Sequence, residues 1–534
     1  MSGLRYAWVA PLSFAVHALN VNPARLGLWG DEAIYLSLAR SWGGEEGPVA
    51  ACLPGSPAVT KYPWGFPALL RGLQELGVAE TTLPIVQVAL WALVAQVVVS
   101  GLLPRLGASP TVRVGTGLLL AVNGVTWQLA PQVMSEPAFT LLLVGACAIL
   151  ARQAPSRSAL VGLAVLVFVG SSLRGVGGLY ALAGAGVALW SRRFGVAAAL
   201  AAGASLAGAG SFWSPPGTAG VSPELAELLA YYISYDVHVG WYGELAAEGG
   251  LVGLVRGLIQ VAGANARLAP LSLGQFLSPE SMLDEAGGPG AGVSALGGIF
   301  AALAAWGAWR CSRPVGVLLA AHVCIFLFWT WPFAIRFWLP LWGLLVPMAL
   351  LGLERLPAKL ERGGKLAVWP VIGVLLVGSG IAPAYAALAR LSSPTHAAPD
   401  RLDRSVAAAR AFLLPGDVVV GEAWVFWLLR GTQAQAVEAQ LLVPFRDVLS
   451  DLLRLAPAHA ERPRRAALFR ESLFTLRRAT APENTVWVAI DPDRADPKRA
   501  WVADAERFGT LERAAEFESL WLWRVGGAGG SAKP

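Results

Sequence analysis

Two adjacent carboxylates, Asp31 and Glu32, follow the first apolar segment of the chain. A carboxylate beside an acceptor hydroxyl can take its proton as a general base. Adjacent residues seldom point at one atom, so the two make a poor acid and base pair of the glycosidase type. We expect Asp31 to be the base and Glu32 to orient Asp31 or a sugar. The alternative is structural, because acidic residues at the start of a helix also cap it and favour its positive end.

Three cations are expected near the outer surface of one bundle. Lys61 lies in a proline-containing loop of the segment that carries Asp31, and Arg174 and Arg336 lie at the ends of apolar segments. Arginine binds a phosphate through its planar fork, and lysine binds it as a point charge. We therefore expect these three side chains to bind the phosphate of a lipid-linked donor. For Arg174 and Arg336, the alternative is that each long side chain merely reaches the membrane surface.

Glu136 stands between Ser135 and Pro137 at the start of an apolar segment. Ser135 is expected to cap a helix that Pro137 helps to start. Glu136 is expected to bind sugar hydroxyls or, alternatively, to favour the positive end of that helix.

A segment rich in aromatic rings runs from Tyr231 to Glu244. An aromatic belt at the membrane interface is the favoured interpretation, and stacking on a sugar is the alternative. The further candidates for contacts with the sugar or the acceptor are Tyr35, Tyr235, Asp236 and His238, of which the last two are also spare candidates for the base.

Cysteine and histidine usage gives no sign of a metal or redox centre. The four cysteines and five histidines are scattered, without the close pairs of a zinc site or a redox dithiol. Lys61, Arg174 and Arg336 are enough to neutralise the charge of a phosphate. We therefore predict no metal and no cofactor, while a divalent ion held by oxygen ligands stays open.

The composition indicates the environment in which these residues act. Of 534 residues, 55% are hydrophobic and 14% are charged, against roughly 25% charged in a soluble domain. This excludes a soluble globular enzyme and predicts a polytopic membrane protein. The net charge of +6 comes from scattered basic residues. These residues mark topology and give no reason to expect a nucleic-acid partner.

A spanning helix needs about 20 largely apolar residues, and about eleven runs approach that length. Basic residues fall on alternate ends of these runs, which predicts a cytoplasmic N-terminus, an uncleaved first helix and two long outer segments, 23–82 and 214–291. The predicted spans are 5–22, 83–103, 114–131, 137–151, 158–174, 177–190, 194–213, 292–309, 315–332, 337–353 and 366–389.

After residue 392 the sequence is charged and mixed, without a further apolar run long enough to span. A helix at 403–414 and strands at 417–420, 485–490 and 519–525 are predicted there. The predicted fold class is an all-α polytopic membrane module at 1–391, followed by a small α/β domain at 392–534 outside the cytoplasm.

Five motifs together resemble, in order, those of GT-C-fold glycosyltransferases, a superfamily that includes protein O-mannosyltransferases and the bacterial lipid A aminoarabinose transferase. The resemblance covers roughly residues 1–390. It implies transfer of a sugar from a polyprenyl-phosphate carrier to a hydroxyl of a lipid, glycan or protein, at the outer face of the bacterial inner membrane and among its lipids. The motifs are Trp29 to Tyr35, Lys61 to Pro67, Met134 to Pro137, Leu173 to Gly175 and Arg336 to Pro340.

The leaving group fixes what such a site must supply. A phosphate is a weak base, so its departure needs cations and no general acid. A single displacement with inversion follows if no enzyme nucleophile intervenes. The rival class is a transporter or flippase of lipid-linked sugars, for which interrupted half-helices near the membrane midplane are expected. A polymerase or ligase would share the donor and differ in the number of sugars moved.

Overall fold

The computed structural model is predominantly helical up to residue 380 and mixed beyond residue 400. It describes residues 4–21, 30–44, 48–152, 155–211, 221–233, 236–277, 291–330, 335–356, 368–380, 401–421, 425–428, 432–438, 462–490, 511–517 and 520–525.

The first seventeen helices include the apolar bundle and the segments that lie on it. Several of them begin with a proline in the first turn. A backbone N–H there has no hydrogen-bond partner within the helix, so the lack of an N–H in proline removes no bond. Serine caps others, as Ser109 and Ser156 do through their side-chain oxygens. The helices are α1 Val9–Ala18, α2 Gly30–Ser41, α3 Gly65–Glu75, α4 Leu83–Val97, α5 Pro110–Val122, α6 Gly124–Leu129, α7 Glu136–Leu150, α8 Arg157–Leu173, α9 Val176–Trp190, α10 Phe194–Ser211, α11 Pro223–Leu228, α12 Ala230–Ile233, α13 Asp236–Gln275, α14 Ala291–Cys311, α15 Arg313–Leu327, α16 Ile335–Glu354 and α17 Val368–Gly380.

Every predicted span coincides with an apolar helix, but most of these helices are short. In the described part of the chain, four are long and apolar enough to cross a membrane: Glu80–Arg105, Gly240–Gln275, Gly292–Cys311 and Arg336–Glu354. Eight others are apolar and 10–17 residues long. The count of eleven spans therefore stays a prediction.

The predicted span 114–131 is wrong in its second half. Helix α5 ends at Val122, because Asn123 adopts an extended conformation and its side chain caps α6 by accepting from the N–H of Thr126. A residue that satisfies the next helix in this way ends the preceding one.

The predicted outer segment 214–291 contains two helices that meet at a kink and are labelled together as α13. Gly250 separates them with φ 58° and ψ −151°, a conformation that only glycine adopts without strain. Charged residues such as Glu244 and Arg256 interrupt the apolar pattern of the two helices. Gly240–Gln275 is nevertheless long and apolar enough to cross a membrane, and the outer position of the segment stays a prediction.

Contacts hold the second half of α13 on one side of the bundle. Asn265 donates hydrogen bonds to the carbonyls of Phe326 and Trp329, which follow or end α15. The carbonyl of Phe276 accepts from Asn123, at the end of α5. Asn265 thus joins the middle of the second half of α13 to the end of α15, and Phe276 joins its end to the end of α5.

The C-terminal part contains a five-stranded mixed sheet. Its strands lie in the order β2 (Gln435–Glu438), β1 (Val418–Gly421), β3 (Val486–Ile490), β5 (Leu520–Val525) and β4 (Leu511–Phe517). The pairs β1·β2 and β1·β3 are parallel, and the pairs β3·β5 and β4·β5 are antiparallel. The predicted helix and three strands are found within two residues of their expected bounds, whereas β2, β4, α19 and α20 were not predicted. The elements are α18 Arg401–Phe412, β1 Val418–Gly421, α19 Val425–Leu428, β2 Gln435–Glu438, α20 Arg462–Ala479, β3 Val486–Ile490, β4 Leu511–Phe517 and β5 Leu520–Val525.

The sheet shares one hydrophobic core with α2, with α3 and the loop between them, and with α11 and α12. Tyr232 packs edge-on against Phe426, with ring centroids 6.1 Å apart. The N–H of Ala436 donates to the carbonyl of Cys52 over 2.8 Å. The boundary predicted at 391 and 392 lies outside the described residues.

Candidate functional site

The ends of several helices enclose a cavity of about 330 Å³. The starts of α2, α7, α9 and α16 and the end of α8 meet there, together with the loop that precedes α3. The lining residues are Asp31, Tyr35, Lys61, Tyr62, Pro63, Met134, Glu136, Arg174, Gly175, Val176, Leu179, Tyr231, Ile325, Phe326, Trp329, Arg336 and Phe337.

Asp31 lies at the centre of the charged side of this cavity. Its Oδ2 is 2.6 Å from Nη2 of Arg336, and its Oδ1 accepts a hydrogen bond from the hydroxyl of Tyr62 over 2.6 Å. Burial alone would raise the pKa of this carboxyl, but the charges of Arg336 and Lys61 and the Tyr62 hydrogen bond outweigh it and lower the pKa to about 2. Asp31 is therefore ionised at neutral pH.

Lys61 is buried to 7% exposure and lies against aromatic rings. Its Nζ is 3.3 Å from the ring centroid of Tyr231 and 5.7 Å from that of Tyr62. Such rings attract an ammonium group through their electron-rich faces. The charge of Lys61 is thus held within the cavity.

Glu136 and Arg174 form the second ion pair, with Nη1 of Arg174 2.6 Å from Oε1 of Glu136. The Glu136 side chain is 3% exposed and that of Arg174 is 17% exposed. The other carboxylate oxygen of Glu136, Oε2, is buried without a hydrogen-bond partner. An acceptor left in this condition is costly unless a ligand supplies a donor.

A close backbone approach fixes the loop that carries Lys61 and Tyr62. A Cβ added to Gly65, at the start of α3, would lie 2.6 Å from the carbonyl oxygen of Ser172. Only glycine fits at this distance. The approach joins α3 to the last turn of α8, directly before Arg174.

The lining of the cavity also includes apolar side chains. They are Val176 and Leu179 of α9, Ile325 and Phe326 of α15 and Phe337 of α16. The site therefore combines charged and hydrocarbon surface, which suits an amphipathic ligand.

The contacts of two further residues add to the sequence-based expectations. Glu32, at 2% exposure, accepts from the N–H of Val133 over 2.9 Å and is not among the described residues that line the cavity. Its role in orienting Asp31 or a sugar stays a prediction. Ser135 makes no side-chain cap on α7. Its Oγ instead lies 3.4 Å from both Tyr35 Oη and Arg174 Nη1.

The remaining sugar-site candidates divide into two groups. Tyr35 lines the cavity, and burial first and the charge of Glu136 second raise the pKa of its hydroxyl. Tyr235 lies outside the described residues. Asp236 and His238 belong to α13, but their side chains lie outside the described part.

Sequence reasoning missed Tyr62 as the partner of Asp31 and Tyr231 as the partner of Lys61. Both belonged to motifs that had been noticed, since Tyr62 follows Lys61 directly and Tyr231 begins the ring-rich segment. Nothing in the spacing of Tyr231 and Lys61, 170 positions apart, indicates their contact.

In the part of the chain that the structure describes, no three His, Cys, Asp or Glu side chains are grouped so that they could hold a metal ion. The expectation of a metal-independent site stays a prediction.

Comparison with known proteins found similarity among solved structures. A crystal structure of ArnT from Cupriavidus metallidurans bound to undecaprenyl phosphate matches with a TM-score of 0.46 and 15% identity, over 99% of this chain and 98% of that chain. The apo state matches with a TM-score of 0.47 and 15% identity, over 97% of each chain. No family model and no curated protein matches.

Both likenesses are weak, with 15% identity and TM-scores below 0.5. A likeness of this strength assigns neither a substrate nor an activity to this chain.

Proposed function

We propose that the chain is a multi-pass membrane glycosyltransferase that moves a sugar from a polyprenyl-phosphate carrier to an acceptor hydroxyl. The observation that carries this proposal is the meeting of Asp31, Lys61, Arg174 and Arg336 in one cavity with an apolar wall.

The charge of the cavity supports a phosphate ligand. Three cations face two carboxylates, which leaves one excess positive charge among the described lining residues. The side chain of Arg336 is 38% exposed, so its remaining N–H donors are accessible. The guanidinium of Arg336 and the ammonium of Lys61 together bind the phosphate and stabilise its charge as it leaves.

The apolar wall supports a lipid carrier rather than a soluble nucleotide. Val176, Leu179 and Ile325 offer hydrocarbon surface next to the cations. The first isoprene units of the carrier pack there, so that the phosphate is held at the level of Arg336. Burial of this surface adds free energy in proportion to its area.

Asp31 acts as the general base in this proposal. Each carboxylate oxygen offers about two lone-pair sites, so the bonds to Tyr62 and Arg336 leave room for the acceptor hydroxyl. With its low pKa, the free enzyme has a weak base. A bound phosphate shares the charges of Arg336 and Lys61, which raises the basicity of Asp31 when the donor is present.

The displacement itself needs one step. The acceptor oxygen bonds to the anomeric carbon as the bond from that carbon to the phosphate oxygen breaks, and the phosphate leaves with the electron pair. Asp31 takes the acceptor proton. Attack opposite the leaving phosphate inverts the anomeric centre. Glu136 accepts a hydrogen bond from the sugar through its open Oε2.

Location in the bacterial inner membrane, with the N-terminus in the cytoplasm and the C-terminal sheet outside, belongs to the same proposal. The cavity then opens at the outer face, where membrane lipids surround the helices. The acceptor is a hydroxyl of a lipid, a glycan or a protein, and no cofactor takes part.

The experiment separates a transferase from a transporter. Purified protein in vesicles receives a polyprenyl-phosphate sugar labelled in the sugar, together with lysed-cell membranes as the acceptor source. A transferase releases free polyprenyl phosphate and attaches the label to an acceptor. Movement of intact donor across the bilayer without release of the phosphate would identify a flippase and contradict the proposal.

A further inference from the structure

A short helix from the second outer segment is fastened to the loop that carries Lys61. The carbonyl of Ile233 accepts from the N–H groups of Thr60 and Lys61 over 2.8 and 3.0 Å. The hydroxyl of Thr60 donates to the same carbonyl over 3.2 Å. Three donors on one carbonyl fix α12 relative to this loop.

This connection sets the ring of Tyr231 directly on the ammonium group of Lys61, 3.3 Å from the ring centroid. Both side chains line the cavity. A lysine has a flexible four-carbon stem, and holding its charge in one position reduces rotamer freedom. The contact with the ring of Tyr231 restricts the Lys61 side chain in the folded protein. Less rotamer freedom is therefore lost when a ligand binds, which raises the affinity.

Packing from behind keeps α12 in place. Tyr231 packs edge-on against Tyr232, with centroids 5.5 Å apart. Tyr232 is 1% exposed and contacts Phe426 of the C-terminal part. The position of Tyr231 is thus supported by a segment distant in sequence from every cation of the site.

We propose that Tyr231 is a positioning residue that holds Lys61 ready for the donor phosphate through the face of its ring. The proposal rests on the proposed function, because it assigns Lys61 to that phosphate. It also gives the C-terminal part a role, since Phe426 of α19 supports the helix that carries Tyr231.

The test compares Tyr231→Leu, which removes the ring, with Tyr231→Phe, which removes only the hydroxyl. Tyr231→Leu is expected to raise the KM for the donor by about 2- to 30-fold, the range that a cation-π contact supports, with kcat nearly unchanged. Tyr231→Phe restores the low KM. A loss with both variants would assign the effect to the hydroxyl and overturn the proposal.

A second measurement separates action through Lys61 from direct contact with the sugar. Binding of a short-chain isoprenyl monophosphate, which carries no sugar, is measured with the same variants and with Lys61→Met. Tyr231→Leu is expected to weaken this binding in the presence of Lys61 and to have no effect in the Lys61→Met background. Equal losses in both backgrounds would show independent action and contradict the proposal.

The proposed function is tested separately by the wild-type protein. If it binds no isoprenyl monophosphate and Arg336→Gln changes nothing, the proposed function fails. If wild type binds and Arg336→Gln does not, while Tyr231→Leu binds normally, only the role of Tyr231 fails. Thermal unfolding of each variant shows whether that variant is folded, so that binding is compared only among folded proteins.

Discussion

Nη2 of Arg336 lies 2.6 Å from Oδ2 of Asp31. The side chain expected to bind the donor phosphate is therefore ion-paired with the candidate base. The pair joins the first turn of α2 to the first turn of α16, more than 300 positions apart in the sequence. A phosphate entering the cavity competes with Asp31 for Arg336. Binding of the donor and activation of the base are then coupled through one guanidinium.

This coupling predicts a change in pH dependence when Arg336 is replaced. Because its folded-state pKa is lowered from 3.8 to about 2, Asp31 favours folding at neutral pH, and this contribution is lost as pH falls from the first value through the second. Arg336→Gln removes the largest of the charges that lower this pKa and leaves Lys61 and Tyr62 in place, so the pKa of Asp31 rises. The acid limb of kcat/KM against pH should move upward with it.

The matched control for that experiment is Arg174→Gln. This variant also removes a cavity cation but leaves the contacts of Asp31 with Arg336 and Tyr62 intact. The acid limb of its kcat/KM profile should lie at the same pH as in the wild type, even if kcat/KM for the donor falls. Equal shifts for the two variants would argue against the pairing of Asp31 with Arg336.

The ion pair between Glu136 and Arg174 predicts a stability effect. Arg174→Met leaves a carboxylate at 3% exposure without its cation, a loss of about 3 to 5 kcal/mol for a buried pair. Adding Glu136→Gln removes the stranded charge and should recover part of the stability. Thermal unfolding in detergent measures both, and a double variant less stable than Arg174→Met would contradict this reading of the pair.

The close approach at Gly65 gives a further prediction. Gly65→Ala introduces a Cβ 2.6 Å from the Ser172 carbonyl, which is backbone and yields little. We expect a loss of about 1 to 3 kcal/mol from overpacking and reduced donor use, because the loop carrying Lys61 shifts away from Arg174. Unfolding and transfer assays measure the two effects.

Gly72 of the same helix is the control, since a Cβ there meets nothing within 4 Å. Gly72→Ala should be neutral or stabilising by up to about 1 kcal/mol, because alanine favours the helix. If both substitutions behave alike, the approach at Gly65 does not limit the position of the loop.

Short-range patterns in the sequence predicted the positions of most elements and cations. Apolar run length located the helices, and short runs rich in Val, Trp and Leu located β1, β3 and β5. Asp31, Lys61, Arg174 and Arg336 were expected on one side of the bundle, and the structure brings them into one cavity.

What the sequence could not predict depends on contacts between distant segments. The turn of Glu32 toward the N–H of Val133 is set by how α2 packs against the loop before α7, 101 positions away. The contact of Tyr231 with Lys61 depends in the same way on the carbonyl of Ile233. Helix α13 was missed because its charges mask a helical period of apolar residues.

The orientation of the chain is tested by its loops. With the predicted alternation of basic residues, a reporter or an introduced cysteine at position 365 should be accessible from the cytoplasm, and one at 450 from outside. Both positions lie outside the described residues. Accessibility of both from the same side would require an even number of crossings between them and would contradict the span count. Accessibility of position 450 from the cytoplasm would also remove the cavity from the outer face, because the C-terminal part shares a core with the loop that carries Lys61.

The role of Asp31 is the central claim, and sugar transfer by Asp31→Asn beside Glu32→Gln tests it most directly. Asparagine keeps the size of the side chain but takes no proton, so kcat should fall by about 10² to 10⁴, while the protein still binds isoprenyl monophosphate. Glutamine at 32 keeps an oxygen for the N–H of Val133 and should leave kcat within about tenfold. Normal transfer by a folded Asp31→Asn protein would contradict the account.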